Sequence, residues 1–162
     1  MDQHWARGIA VIRIGLGIEF LIWAWTKVAD GWLDTGAALA RELRSADANP
    51  PPPYAEFLSG VVLPNGDLFA QLVTLGELGA GVSLTLGLLT RLGAGTGLCL
   101  VLNFMLMRGI AGPEASIDRI FFVACLVCVL VGAGRVWGID SWLRAQALTS
   151  SKRIVQLAAG MA

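Results

Sequence analysis

Two glutamates stand inside long apolar runs of this chain, Glu19 between Gly8 and Val28 and Glu77 between Asp67 and Leu89. A third polar group, Asn103, lies within the run from Arg91 to Ile110. A carboxylate surrounded by apolar residues is costly to ionise. It is either protonated or matched by a cation, and each state is useful for handling protons or holding a polar headgroup. Counting about 1.5 Å per residue inward from one end of each run puts Glu19 ~16 Å deep, and Glu77 and Asn103 ~18 Å deep. The three groups are therefore expected at one level. Arg13, ~8 Å in from the same side, is the nearest candidate counter-cation, because its long side chain reaches inward. Such a layer serves equally well as a packing lock between two helices, since buried ion pairs also fix register.

Two further motifs offer chemistry. Cys125 and Cys128 have C-x-x-C spacing, which on a helix puts both thiols on one face. A thiolate is poorly stabilised in an apolar run, and small apolar packing is the favoured reading. Gly93 to Gly97 matches a nucleotide loop in outline, but no strand precedes it. It reads instead as a small-residue contact, like Gly76, Gly79, Ala80 and Gly81 around Glu77. Metal ligation has little support, because His4 is the single histidine and lies outside the apolar runs.

The elements that position these residues follow from composition. Of 162 residues 56% are hydrophobic and only 15% charged, an excess of apolar surface that needs a lipid solvent. Backbone polar groups in lipid must be satisfied internally, so the runs are helices. The expected fold is an all-α membrane protein, a four-transmembrane-helix antiparallel bundle forming one domain over residues 1–162. Its spans fall at about 8–28, 67–89, 91–110 and 117–137. Residues 29–66 are expected to form an ordered extramembrane cap between helices 1 and 2. Within it, Ala37–Arg44 is a short helix, and Pro50 to Pro53 favour an extended polyproline segment. Residues 139–157, with Arg144, Lys152 and Arg153, suit an interfacial amphipathic helix.

Orientation follows from the basic residues. Arg7, Arg13, Arg91, Arg135, Arg144, Lys152 and Arg153 gather at the end holding both termini, against Lys27, Arg41, Arg44, Arg108 and Arg119 at the other. Seven against five places both termini in the cytoplasm. The formal net charge is zero, which gives no electrostatic case for a nucleic-acid partner.

Several stretches together resemble the DoxX family: Arg13-Ile-Gly15-Leu-Gly17 leading to Phe20 and Lys27, Leu75-Gly76-Glu77-Leu-Gly79-Ala-Gly81, Leu86-Gly87-Leu88-Leu89-Thr90-Arg91-Leu92, and Gly132-Ala-Gly134-Arg135 before Gly138-Ile-Asp140. The long segment after span one is most similar to the DoxD branch. The resemblance covers about residues 8–142 and implies a bacterial inner-membrane protein of four helices. DoxD proteins are described as the small membrane subunit of thiosulfate:quinone oxidoreductase. The resemblance thus implies a subunit of a quinone-linked oxidoreductase, with other membrane or periplasmic subunits and lipid as partners. A bound quinone is the one cofactor it suggests, with none held covalently. By position it carries over Arg13, Lys27, Glu77 and Arg91; Glu19 and Asn103 come from depth counting. A non-catalytic accessory subunit is the alternative. Solute transport is a weaker third reading, because no broken helix marks a midplane site.

Overall fold

The computed structural model describes residues 3–45, 48–143 and 145–146, which are mostly helical with no strand among them. Six α-helices carry the fold: α1 (Gln3–Ala29), α2 (Ala37–Leu43), α3 (Pro52–Phe57), α4 (Gly66–Leu86), α5 (Thr90–Arg108) and α6 (Ser116–Val131). Helices α1 and α4 pack together, as do α4 and α5, α5 and α6, and α1 and α6, closing a ring.

The helical stretches His4–Ala29, Pro52–Leu86 and Thr90–Arg108 are long and apolar enough to cross a membrane. Their large outward side chains, among them Ile18, Ile22, Leu72, Leu75, Leu78 and Leu102, are exposed. Such a surface suits hydrocarbon and not water. The expected span at 117–137 is shorter: α6 has 16 residues and stops at Gly132, whose φ is +60°. At 1.5 Å per residue it covers ~24 Å, under the ~30 Å of a hydrocarbon core.

Helical conformation runs from α3 into α4 through a π-turn at Leu58–Val62 and a 3-10 turn at Leu63–Asn65. This is not one straight rod. The rings of Phe57 and Phe69 lie 6.3 Å apart, whereas twelve residues of straight helix would separate them by ~18 Å. The chain therefore folds back at Pro64-Asn65. The prolines also depart from expectation. Pro51 is extended, with φ −62° and ψ 150°, but Pro52 and Pro53 open α3. A proline in the first helical turn loses nothing, since its missing N–H has no intrahelical partner there. Behind α2 and α3, Trp32, Leu39, Leu58, Val62, Ala70 and Met107 form a separate apolar cluster.

The hairpin between α4 and α5 is as tight as expected. Gly87 (φ +67°) and Leu89 (φ +50°) reverse the chain, and the Ser83 hydroxyl donates to the Leu88 carbonyl at 2.6 Å. Of the expected helix over 139–157, a helical turn is present from residue 139; most of the rest, with Arg144, Lys152 and Arg153, lies outside the described residues.

Candidate functional site

Helix α1 turns one stripe inward: Ala6, Ala10, Arg13, Gly17, Phe20 and Ala24 are buried, and Lys27 continues the stripe at its end. Helix α4 offers Ala70, Thr74, Glu77, Ala80, Gly81 and Leu84. Close approach of the two depends on glycine. A methyl group at Gly81 would sit 2.8 Å from the Leu21 side chain. This contact brings Lys27 to Glu77. Lys27 Nζ donates to Glu77 Oε1 at 2.8 Å, with the Glu77 side chain fully buried and that of Lys27 17% exposed. The Lys27 ammonium also lies 5.1 Å from the Trp32 ring centroid and 5.4 Å from that of Phe104, within cation–π range. Glu77 Oε2 is buried and has no hydrogen-bond partner.

The pair lines a cavity of about 680 Å³ between α1, α2, α4, α5 and the start of α6. Trp23, Trp32, Phe104 and Val73 supply apolar wall, and Asp30, Arg41, Glu42 and Glu114 bring charge. A second pair stands beside them. Arg108 Nη1 donates to Asp118 Oδ2 at 2.8 Å, and Arg108 Nη2 lies 3.6 Å from Glu42 Oε1. Asp118 is nearly as buried as Glu77, at 2% exposure. The site thus holds an apolar, aromatic wall and a few converging polar groups, the general make-up of a small-molecule site.

This arrangement corrects the expected mid-depth layer. Glu19 is exposed on the outer face of α1, one position off the buried stripe. Asn103 is exposed on α5 and tied up locally: its amide donates to the Cys99 carbonyl at 2.7 Å and its carbonyl accepts from the Tyr54 hydroxyl at 2.8 Å. Counting rise fixes a residue's depth but not the direction it faces. Arg13 does not meet Glu77 either; Lys27 does. Arg91 is exposed at the start of α5. Of the six polar candidates, Lys27 and Glu77 meet. Arg108, Asp118 and the aromatic wall went unrecognised. One signal was available: opposite charges ten residues apart, flanking the Gly109–Gly112 turn, close a hairpin of antiparallel helices.

Arg13 belongs to the opposite end. Fully buried, it donates from Nη2 to the Trp137 carbonyl at 2.8 Å, while Nη1 is pressed against Gly87 and Gly138. Nearby, Asp140 caps α5 from a distance. It accepts from the Leu89 N–H at 2.8 Å, the Thr90 N–H at 3.0 Å and the Thr90 hydroxyl at 2.8 Å. Burial raises the Asp140 carboxyl, but the hydrogen bonds from Thr90 and then Leu89 outweigh it and hold the group below its ordinary range. Cys125 and Cys128 are buried, free thiols on the inner face of α6, and Cys99 is exposed. Among the described residues no group of three or more His, Cys, Asp and Glu side chains is placed to hold a metal ion.

Fold and site together define an α-helical membrane protein with a buried carboxylate–ammonium pair lining an aromatic cavity. The chain belongs to the DoxX family, whose model matches residues 8–108, more than half of its length. The match includes Arg13, Lys27, Glu77, Arg91 and Arg108 and stops before Asp118 and Asp140. No curated protein and no solved structure matches the chain.

Proposed function

We propose that this protein is an integral membrane subunit of a quinone-linked oxidoreductase, and that the Lys27–Glu77 cavity receives the quinone headgroup. The observation that carries the reading is the Lys27–Glu77 pair, with Glu77 Oε2 unpartnered, in the lining of a cavity walled by Trp23, Trp32 and Phe104. A flat ring stacks on such walls. A reduced headgroup offers hydroxyl hydrogens, which a carboxylate oxygen accepts, and a bound quinone would supply the redox chemistry. Lys27 keeps the carboxylate compensated and oriented, and the aromatic wall thins the surrounding water.

The membrane frame of the proposal is a four-span bundle in the bacterial inner membrane, with α6 as a short fourth span and α2 and α3 as the cap. Both termini are cytoplasmic by the excess of basic residues at their end. The cap side then faces the periplasm, where partner subunits dock. Similarity to the DoxD branch favours the thiosulfate:quinone type. In that case the sulfur oxyanion is oxidised on a partner subunit. The cavity lining contains Asp30, Glu42, Glu77, Glu114 and Asp118 against Lys27, Arg41 and Arg108, an acidic balance that repels an anion.

The test is Glu77→Gln in the purified native complex. Quinone reduction should fall on the order of a hundredfold, the usual contribution of a positioned proton-handling group. Unchanged turnover removes the proposal. A second reading, a purely accessory subunit, draws on Gly15 and Gly79, whose outward faces are open with nothing within 4 Å and can admit a neighbouring helix. A native complex that keeps full turnover with Glu77→Gln but falls apart with Gly79→Leu would favour it.

A further inference from the structure

We propose that Glu77 exchanges protons with one aqueous compartment only, the one into which the cavity opens beside α2, and that a dry layer seals it from the Arg13 end. The inference rests on reading the cavity as the functional site and adds the side of the membrane on which its protons enter and leave.

Toward α2 there is a gradient of hydration. Asp30, Arg41 and Glu114 at the mouth are exposed, and the Lys27 side chain is 17% exposed where that of Glu77 is fully buried. A cavity of about 680 Å³ with charged groups along its wall has room and partners for water. Cavity water reaches the partly exposed Lys27 ammonium, which is hydrogen-bonded to Glu77 Oε1 at 2.8 Å, so the buried carboxylate lies one side chain behind that water. On reduction of a quinone bound there, with electrons from a partner subunit, a headgroup O–H bond forms as the O–H bond of protonated Glu77 breaks, and Lys27 keeps its own proton. Glu77 then takes a replacement proton from the mouth side.

Toward Arg13 the packing is apolar apart from the buried Thr85 hydroxyl, which stands against Gly17 without a hydrogen-bond partner. Below Glu77 lie Phe20, Ala80, Leu84, Ala94 and Cys125, each at most 1% exposed. The layer is close-packed. A methyl group on Gly97 would stand 2.8 Å from the Phe20 ring and 3.3 Å from Cys125 Sγ. Space that rejects a methyl group rejects water. From Glu77 to Gly87 the distance along α4 is ~15 Å, most of an apolar half-membrane. The groove at the far end, lined by Thr90, Arg91 and Asp140 among others, shares no residue with the cavity.

The test uses the full chain with Cys99→Ser, reconstituted in sealed liposomes of mixed orientation. Single cysteines report from the wall (Val73→Cys), the mouth (Arg41→Cys) and the opposite end (Arg91→Cys). The probe is a membrane-impermeant trimethylammonium methanethiosulfonate added outside, and modification is read by intact mass. The modified fraction at Val73→Cys should equal that at Arg41→Cys and be the complement of that at Arg91→Cys. Cys125 and Cys128 should stay unmodified. Reaction from the α2 side should be on the order of a hundredfold faster, because a charged reagent from the other side meets the mid-membrane barrier. Met107→Cys is a second wall position should Val73→Cys fail to fold. Modification of the wall from both sides, from the Arg91 side, or not at all while the mouth reacts, overturns the proposal; so does modification of Cys125. A short-chain quinone separates the two readings. One-sided modification that quinone does not slow would sink the quinone site and leave the sidedness standing. Protection with two-sided modification would do the reverse.

Discussion

The two ends of the molecule each bury charge, and they do so differently. At the α2 end, Lys27 and Glu77 pair beside open space, with one carboxylate oxygen unused and aromatic rings set back around it. At the other end, Arg13 and Asp140 are spent on backbone. The arginine holds the Trp137 carbonyl, and the aspartate holds the first N–H groups of α5. Arg13 also has unpaired nitrogens, Nε and Nη1, but Nη1 abuts Gly87 and Gly138, where no ligand fits. A buried charge is thus no mark of a site by itself. A buried pair that lines a cavity marks one; a buried charge closed in by packed backbone marks a staple.

The comparison can be broken most sharply at the staple. Gly87→Ala forces a side chain into φ +67° and onto the Arg13 guanidinium and the Gly138 backbone. We expect a loss of about 3–5 kcal/mol or failure to accumulate, read by detergent thermal melts. Gly79→Ala, where the space is open, should stay within about 0.5 kcal/mol. A mild Gly87→Ala would show the staple to be loose.

Next comes the site pair. Lys27→Met leaves Glu77 buried without its cation and should cost about 3 kcal/mol. Combining it with Glu77→Leu should recover most of that stability while quinone turnover stays lost. If the double variant also regains turnover, the pair is a packing device like the staple.

A smaller effect is expected from Asp140→Ala, about 2 kcal/mol, through three lost hydrogen bonds to a charged acceptor. The sign with pH follows from its lowered pKa. The stabilisation from ionised Asp140 is complete above the ordinary aspartate value of about 4 and fades as pH falls through its lower folded value. The stability difference between wild type and Asp140→Ala should therefore shrink in acid; a constant difference would contradict the capping role. Smallest of all is Glu42→Gln. At 3.6 Å from a partly exposed Arg108, and itself 44% exposed, Glu42 should change stability by under ~0.5 kcal/mol. Asp118→Asn, which strips Arg108 of its buried partner, should exceed it in the same melts.

The sequence by itself determined the solvent and the long helices, with several of their ends placed to within a few residues. Long apolar runs with few charges have one home, and Gly112-Pro113 marks the turn between α5 and α6; that α4 already stops at Gly87, inside the expected span, was settled by the structure. The sequence also made Glu77 conspicuous, because a lone acid in such a run demands compensation. Only the tertiary structure decided which cation answers and which polar groups meet. Glu19 and Asn103 have suitable depth but face outward, and Arg13 was spent on backbone at the far end. The reason is geometric: helical rise is a property of the chain, so depth can be counted along it. Facing depends on how one helix rolls against another, and here close contacts at Gly17, Gly81 and Gly97 settle that roll.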